Sequence, residues 1–166
     1  MVATGDALYL SDNDSCKVID AATGKVRDEI LIMPKQGGSA WKWMAQSDGV
    51  LYALVGKKDL LDETLKGTRT QSGWPWSGMG KGYAKSGENY EWGFGRTLVA
   101  IDLKTKKMLW TRPEPEDIDS RAMCLRGGKI FVYAHGKYLL AVNTVTGGTY
   151  WKSSDPKLLA AIGPHN

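Results

Sequence analysis

The sequence predicts an all-β fold made of repeated units, and three observations lead to this prediction. Short apolar runs rich in β-branched and aromatic residues recur along the 166 residues, and such runs are typical of strands. Clusters of Asp, Asn, Thr and Gly, which favour tight turns, separate the runs. One combination of run and turn returns at a nearly constant interval, which indicates copies of one supersecondary unit.

The turn pattern occurs three times, with two apolar residues, then Asp or Asn, and a Thr three positions later. The copies read VIDAATGKVRD (18–28), AIDLKTKKMLW (100–110) and AVNTVTGGTYW (141–151). An Asp or Asn side chain bonds the backbone two residues on, and Gly accepts a positive φ, so the pattern suits a tight turn. Lys106 replaces the Gly in the middle copy, and Asp28 replaces the Trp that ends the other two. The residues assigned a structural role in the repeat are Asp20, Gly24, Asp102, Trp110, Asn143, Gly147 and Trp151.

The spacing of the copies defines the length of the unit. A strand-like run precedes each turn pattern, as ALYLS (7–11), VLYALV (50–55) and KIFVYA (129–134). Tyr9 and Tyr52 are 43 residues apart, and Asp102 and Asn143 are 41 apart, so the unit is about 42 residues long. The middle copy holds about 38 extra residues between its two pieces. A hidden degenerate repeat is the alternative, but the excess lies inside one hairpin, so we interpret it as an insertion.

Each unit accommodates four strands, predicted in the last unit at 121–126, 129–134, 138–143 and 149–153. A period near 42 with four short strands is the signature of a β-propeller blade. The predicted fold is a β-propeller fragment of about three four-stranded blades with one long hairpin insertion. The first unit is expected to lack its leading strand, because Ala7 begins its second strand. A β-sandwich built from the same hairpins is the alternative architecture.

We predict a single partial-propeller domain over 1–166. Its parts are repeat units at 5–33, 39–113 and 119–155, an insertion at 56–96 and a C-terminal helix at 155–163. Asp155 as N-cap, Pro156 at the first helical position and Gly163 as the stop predict that helix.

Composition argues against several classes of function. The net charge is +4 with Lys and Arg scattered, so the basic stripe of a nucleic-acid-binding protein is missing. Cys16 and Cys124 are far apart, and His135 and His165 lie in a turn and near the C-terminus, so no metal site is predicted. No apolar run approaches the ~20 residues that span a bilayer. The residues after Met1 show no signal-peptide pattern.

The segment SGWPWSGMGKGYAKSGENYEWGFGR (72–96) is rich in Gly and aromatic residues. Long loops are usually functional or disordered, and disordered segments are poor in aromatic residues, so we expect order. The rings can cover a blade face, or they can form a ligand or partner surface. Phosphate binding through GMGKG (78–82) is a third interpretation, without the full phosphate-loop pattern. The candidate binding residues are Trp74, Trp76, Tyr83, Tyr90 and Trp92, together with Arg121, which can pair with an acid near the ring axis.

The recurring pattern Ala/Val-x-Asp-x-x-Thr-Gly-Lys-x-x-Trp resembles the PQQ-like β-propeller repeat family. Its best matches are VIDAATGKV (18–26) and AIDLKTKKMLW (100–110). The resemblance implies complete propellers of about seven or eight blades. This chain offers just under three, so we expect a piece of a larger propeller. The resemblance also implies an extracytoplasmic place, in the periplasm or cell envelope, and a family that includes both quinone-cofactor dehydrogenases and envelope-assembly scaffolds.

The expected function is non-catalytic, as a module for scaffolding or for binding a ligand or protein within a larger cell-envelope protein. One alternative is a fragment of a PQQ-dependent quinoprotein dehydrogenase, and another is a carbohydrate-binding module that uses the aromatic insertion. The resemblance implies PQQ with Ca²⁺ only in a complete propeller. The acidic run EPEDID (114–119) lacks calcium-loop spacing, and no catalytic residue or cofactor is assigned.

The expected partners are the rest of the parent propeller, another protein or an oligosaccharide. Open blade edges also allow self-association, because unpaired strand edges attract further strands.

Overall fold

The computed structural model describes residues 1–12, 14–33, 38–57 and 93–162. The strands within these ranges are β1 (Val2–Ala3), β2 (Ala7–Asp12), β3 (Ser15–Asp20), β4 (Val26–Leu31), β5 (Ala40–Ser47), β6 (Val50–Gly56), β7 (Phe94–Asp102), β8 (Met108–Asp119), β9 (Cys124–Arg126), β10 (Lys129–Ala134), β11 (Tyr138–Asn143) and β12 (Thr149–Ser153). A 3-10 helix (Ser120–Ala122) and a C-terminal helix α1 (Pro156–Ile162) complete the described elements. Neither helix is long and apolar enough to cross a membrane.

The strands form three antiparallel units of four strands, each arranged in chain order. The first unit is β1-β2-β3-β4, and the second is β5-β6-β7-β8. In the third unit β10 pairs with β9 and β11, and β11 pairs with β12. The end of β8 also reaches β10, through Ile118 opposite Ala134, so the second and third units share one sheet path. The predicted all-β architecture of four-stranded units is confirmed.

The prediction that the first unit lacks its leading strand is wrong, because β1 occupies that place. Val2 and Ala3 pair with Tyr9 and Leu8 of the second strand. Two residues are too few to form an apolar run, so the pattern does not reveal this strand.

The opening strand of the third unit, β9 (Cys124–Arg126), is shorter than the strand predicted at 121–126. The Asp119 side chain accepts a hydrogen bond from the Arg121 backbone N–H and caps the 3-10 helix (Ser120–Ala122), so pairing resumes at Cys124. A short side chain that bonds the local backbone competes with a strand ladder in this way. The other three strands predicted for this unit match β10, β11 and β12.

The insertion lies inside a hairpin, as predicted. Strand β6 pairs with β7 from Val50 opposite Asp102 to Val55 opposite Thr97, so the extra residues connect two adjacent strands. Most of the insertion, residues 58–92, lies outside the described residues.

Two apolar cores fill the spaces between neighbouring units. The first core consists of Ala7, Tyr9, Cys16, Val18, Ile30, Ile32, Trp41, Leu51, Ala53, Val55, Val99 and Ile101. The second core consists of Tyr52, Leu54, Leu98, Ala100, Ile118, Ile130, Val132, Ala134, Tyr138, Leu140 and Val142. Alternate side chains of β6 enter opposite cores, which explains why a sheet covered on both faces reads as a continuous apolar run. Each fully buried Leu or Val contributes roughly 1.5–3 kcal/mol.

Candidate functional site

Five of the six candidate binding residues belong to the part of the insertion that lies outside the described residues. They are Trp74, Trp76, Tyr83, Tyr90 and Trp92. Their role as a contact surface therefore stays a prediction. The sixth residue, Arg121, lies in the described part of the chain.

Arg121 is paired with a buried carboxylate. Its Nε and Nη2 atoms donate to the two carboxylate oxygens of Asp119 at 2.8 and 3.1 Å. The Asp119 side chain is 1% exposed, and the Arg121 side chain is 30% exposed. The Arg121 guanidinium also lies 5.4 Å from the centre of the Phe94 ring, within cation–π range. Arg121 thus pairs with an acid two residues away, while its expected place near the ring axis and its ligand-binding role stay predictions.

Arg121 belongs to a group of contacts that we call the insertion root, Gly93–Arg96 together with Asp117–Arg121. The Ser120 backbone N–H donates to the Gly93 carbonyl at 3.0 Å. The Arg96 guanidinium donates to both oxygens of Asp117 at 2.6 and 3.1 Å. The Ser120 bond attaches the C-terminal end of the insertion to the start of the third unit, and the Arg96 bonds join β7 to β8 within the second unit.

The repeated turn has the same geometry in all three units. The carboxylate Oδ1 of Asp20 accepts from the Thr23 backbone N–H and hydroxyl, both at 2.8 Å. Asp102 accepts from the same two groups of Thr105 at 2.6 and 2.8 Å. Because these hydrogen bonds favour the charged form, the pKa values of Asp20 and Asp102 are lowered. In the third unit the amide oxygen of Asn143 accepts from the backbone at 2.8 and 3.0 Å.

One left-handed residue closes each turn. Gly24 has φ 69°, Gly147 has φ 70°, and Lys106 has φ 58° at the equivalent place. The backbone N–H of each donates to the carbonyl of its Asp or Asn. Lys106 therefore keeps the turn but adopts a conformation that is unfavourable for a residue with a Cβ.

Trp110 docks the second unit onto the turn of the third, a contact we call the Trp–Gly dock. Its Nε1 donates to the Thr144 carbonyl at 2.8 Å. One side of the indole faces the Tyr52 ring, 6.1 Å away between centres. A Cβ atom placed on Gly147 would lie 2.9 Å from Trp110 Cδ2, so only glycine leaves room for the ring. The outer strand of the second unit thus packs on the turn of the third unit through Trp110.

A buried polar network extends this contact. Arg112 Nη1 donates to the Gly147 carbonyl at 2.9 Å, and its Nε pairs with Glu114. The Tyr138 hydroxyl donates to the other oxygen of Glu114 at 2.7 Å. Burial, followed by this hydrogen bond, raises the pKa of Tyr138. The network therefore joins the second and third units through groups that satisfy one another.

The contact between the first and second units uses different residues at the same two positions. Asp28 and Trp110 occupy equivalent positions in their units. Asp28 lies opposite Val18, and Trp110 lies opposite Ala100. The Lys106 ammonium, at the glycine position of the second turn, pairs with the Asp28 carboxylate. An ion pair thus replaces the Trp–Gly dock. The sequence indicated this exchange, because Asp28 and Lys106, which depart from the repeat pattern, are the two residues that meet.

The two ends of the chain each show half of such a contact. Trp151, opposite Ala141, faces Phe131 at 6.2 Å between ring centres and is 43% exposed. A Cβ atom placed on Gly24 would meet nothing within 4 Å.

Titratable groups elsewhere in the described ranges form no metal centre. Burial raises the pKa of the Cys16 thiol to about 11, so it is protonated at neutral pH, and the exposed Cys124 is also free. An open groove of about 520 Å³ lies between the first and second units. Asp6 in this groove is paired with Arg27 at 2.8 Å. No three His, Cys, Asp or Glu among the described residues are placed to hold a metal ion.

Four-stranded antiparallel units that pack face to face in chain order define a partial β-propeller. Comparison with solved structures agrees. The chain is similar to a europium-containing methanol dehydrogenase, with 12% identity and a TM-score of 0.52 over 91% of this chain and 23% of that one. It is similar to BamB from Moraxella catarrhalis, with 12% identity and a TM-score of 0.52 over 93% of this chain and 36% of that one.

A third similar structure is Sqt1 of Saccharomyces cerevisiae, with 6% identity and a TM-score of 0.55 over 89% of this chain and 30% of that one. No family model matches the chain, and no curated protein matches it either. The chain spans between 23% and 36% of the length of these three proteins, and identities this low show the propeller fold alone.

Proposed function

We propose that the chain is a non-catalytic β-propeller module that binds a protein partner through its insertion, within a larger protein of the cell envelope. The observation that carries the proposal is the attachment of the insertion root. The Gly93 carbonyl and the Phe94 ring contact Ser120 and Arg121 at the start of the third blade, and Arg96 pairs with Asp117 of β8 in the second blade. The residue at which the described chain resumes after the insertion is thus attached to two blades, and binding loops are commonly positioned by such a rigid scaffold.

The composition of the insertion supports a protein partner. Insertions in repeat folds commonly project from one face, which is often the binding face. Trp and Tyr are enriched among the residues that contribute most to protein interfaces. The proposed contact residues are Trp74, Trp76, Tyr83, Tyr90 and Trp92, with Arg121 at the root. The resemblance of the repeat to the PQQ-like family supports the envelope location.

Site-specific photo-crosslinking in the source organism tests this proposal. A photoreactive residue replaces Trp76 and, in the matched control, Val145, which is 81% exposed on the third turn. We expect one discrete protein adduct from position 76 that is absent from position 145 and is lost when Trp74 and Trp92 are changed to Ser. Identical adducts from both positions, or no adduct from position 76, would contradict the proposal.

A quinoprotein fragment is the second candidate, favoured by the structural likeness to methanol dehydrogenase. The described residues supply no cluster that fits the Ca²⁺ of such a cofactor, so we derive no chemistry through it. Calorimetric titration of the complete parent propeller with PQQ and Ca²⁺ separates the candidates, since a flat titration removes this one. A parallel titration with oligosaccharides, followed by Trp fluorescence, tests the sugar-binding alternative.

A further inference from the structure

We propose that the boundary between the first and second blades is a salt-sensitive joint at which the two blades separate reversibly, while the boundary between the second and third blades stays closed. We call these two boundaries the first seam and the second seam. Each seam lies between two described units, so the comparison does not depend on any further blades. The joint is independent of the insertion and of the function proposed for it.

The second seam is closed by contacts that dissolved salt screens weakly. The Trp–Gly dock places an indole on the turn of the third blade, with its N–H bonded to a backbone carbonyl. The Glu114 carboxylate, which accepts from the Tyr138 hydroxyl across the seam, is 3% exposed. Ile118 also pairs with Ala134, so a backbone ladder continues from one blade into the next. Buried charges and neutral contacts of this kind depend little on ionic strength.

The first seam has an exposed ion pair where the second seam has the Trp–Gly dock. The Lys106 ammonium and the Asp28 carboxylate belong to side chains that are 44% and 34% exposed. The Ser39 hydroxyl donates to the Asp14 carboxylate at 3.3 Å across the same seam, and this contact is exposed too. Salt screens exposed charges, and an exposed ion pair contributes little even at low salt. These polar contacts therefore weaken as the ionic strength rises.

An indole nitrogen inside the first seam also favours opening. Trp41 on β5 is 7% exposed and belongs to the first core, and its Nε1–H has no hydrogen-bond partner among the described residues. A buried donor without an acceptor destabilises the closed state, because water satisfies the donor once the seam opens. The Trp110 N–H avoids this penalty in the second seam, since it donates to the Thr144 carbonyl.

A charged groove runs along the first seam. This is the open groove of about 520 Å³, with Asp6 and Arg27 on the side of the first blade and Asp48 and Lys104 on the side of the second. Asp6 and Arg27 pair with each other within the first blade and not across the groove. The lining therefore does little to hold the two blades together.

The apolar cores do not reverse this ranking of the two seams. Both cores bury comparable sets of apolar side chains, so the hydrophobic contribution is similar at the two seams. The polar contacts then decide which seam opens first, because regions of a protein open locally at different free energies. Ionic strength accordingly sets how often the facing sides of the first and second blades are uncovered.

The buried thiol of Cys16 reports the opening of the first seam. Cys16 is 0% exposed and lies in the first core, so a thiol reagent reaches it only when that core is open. Cys124→Ser removes the exposed second thiol. The matched probe for the second core is Ala100→Cys, at a fully buried position, in a chain that also carries Cys16→Ala and Cys124→Ser. Labelling rates, divided by those of the same chains unfolded in urea at the same salt concentration, compare the two seams.

We expect Cys16 to be labelled about two- to fivefold faster at about 0.5 M than at about 0.02 M NaCl, the effect of screening one exposed ion pair. The Ala100→Cys probe should be labelled at least about tenfold more slowly than Cys16, without a rise at high salt. Asp28→Asn should raise the Cys16 rate at low salt to its high-salt value. The matched control is Glu29→Gln, which breaks the pair with Lys17 inside the first blade and should leave the Cys16 rate unchanged.

Reversing the ion pair makes the test specific to this contact. Asp28→Lys/Lys106→Asp exchanges the two charges, and Asp is tolerated at the left-handed position, so slow and salt-dependent labelling of Cys16 should return. Circular dichroism checks that the sheets of each variant are intact, and Lys106→Gln takes the place of Asp28→Asn should that variant not fold. Equal rates for the two probes would mean that labelling follows global unfolding. That result, or a Cys16 rate that responds neither to salt nor to loss of the pair, would overturn the proposal.

Discussion

A single left-handed residue in each repeated turn determines what the neighbouring blade can place against it. Glycine at position 147 leaves a flat surface, and the Trp110 ring lies directly on it. Lysine at position 106 keeps a similar φ but adds a charged side chain, and the neighbouring blade supplies Asp28 in place of Trp. Backbone conformation and interface chemistry are thus coupled through one residue.

Two glycine substitutions separate the backbone effect from the packing effect. Gly24→Ala and Gly147→Ala place the same methyl group at nearly the same φ, which costs about 1–2 kcal/mol in each case. At Gly147 the methyl also meets Trp110, so we expect that variant to lose roughly 1–3 kcal/mol more. Chemical denaturation measures the difference. Equal losses would show that the Trp–Gly dock contributes nothing to stability.

At the scale of the element, each turn is a self-contained set of hydrogen bonds. The Asp or Asn side chain, the Thr three residues later and the left-handed residue bond one another within five positions of sequence. Asp fills the first position in two turns and Asn fills it in the third. Only the Asp turns can therefore respond to pH.

Acid should weaken the first two turns and leave the third unaffected. The lowered pKa values of Asp20 and Asp102 arise mainly from hydrogen bonds donated by Thr23 and Thr105. A carboxylate whose folded pKa is lowered stabilises the fold above its unfolded pKa and loses that effect as pH falls through the folded value. We expect the free energy of unfolding to decline below the ordinary Asp pKa.

The double variant Asp20→Asn/Asp102→Asn tests this assignment, because Asn143 shows that an amide keeps the turn. Urea denaturation between pH 2 and 7 should give a shallower acid decline for the variant than for the natural chain. The same decline in both would assign the acid sensitivity to other pairs, such as Lys17 with Glu29.

At the scale of the whole molecule, the packing of blade on blade supplies the cores. The first core draws on the first and second blades, and the second core draws on the second and third. The middle blade is apolar on both faces because it contributes to each core. The insertion enters between two strands of this blade and leaves their pairing continuous from Val50 to Val55.

Replacing residues 58–92 by a short Gly-Ser linker tests whether the insertion is needed for folding. Strands β6 and β7 pair directly, and loop closure depends weakly on loop length, so we expect cooperative unfolding with a melting temperature within a few degrees of the natural chain. A fall of more than about 10 °C, equivalent to roughly 3 kcal/mol or more, would show that the insertion packs as part of the core.

Much of the fold was readable from local sequence. The strand–turn combinations at Asp20, Asp102 and Asn143 revealed the repeat, because turn geometry depends on a few adjacent residues. The two-residue strand Val2–Ala3 and the capped interruption at Asp119 were not readable. A very short strand has no periodicity, and a side-chain cap competes with a strand that propensity alone would favour.

The candidate site, like the fold, was only partly predictable from the sequence. The pairing of Arg121 with an acid was predictable from residue type. The particular partner, Asp119, depended on the 3-10 helix (Ser120–Ala122), which contains Arg121 and is capped by Asp119. The packing of Trp110 on the turn that contains Gly147 could not be inferred from propensity at all.

The sequence by itself determined the period, the turn chemistry and the positions of the blade anchors, because these follow from interactions within a few residues. The tertiary structure decided which anchor meets which turn. Asp28 and Lys106 are 78 residues apart, and Trp110 and Gly147 are 37 apart, so only the packing of one sheet on the next brings them together.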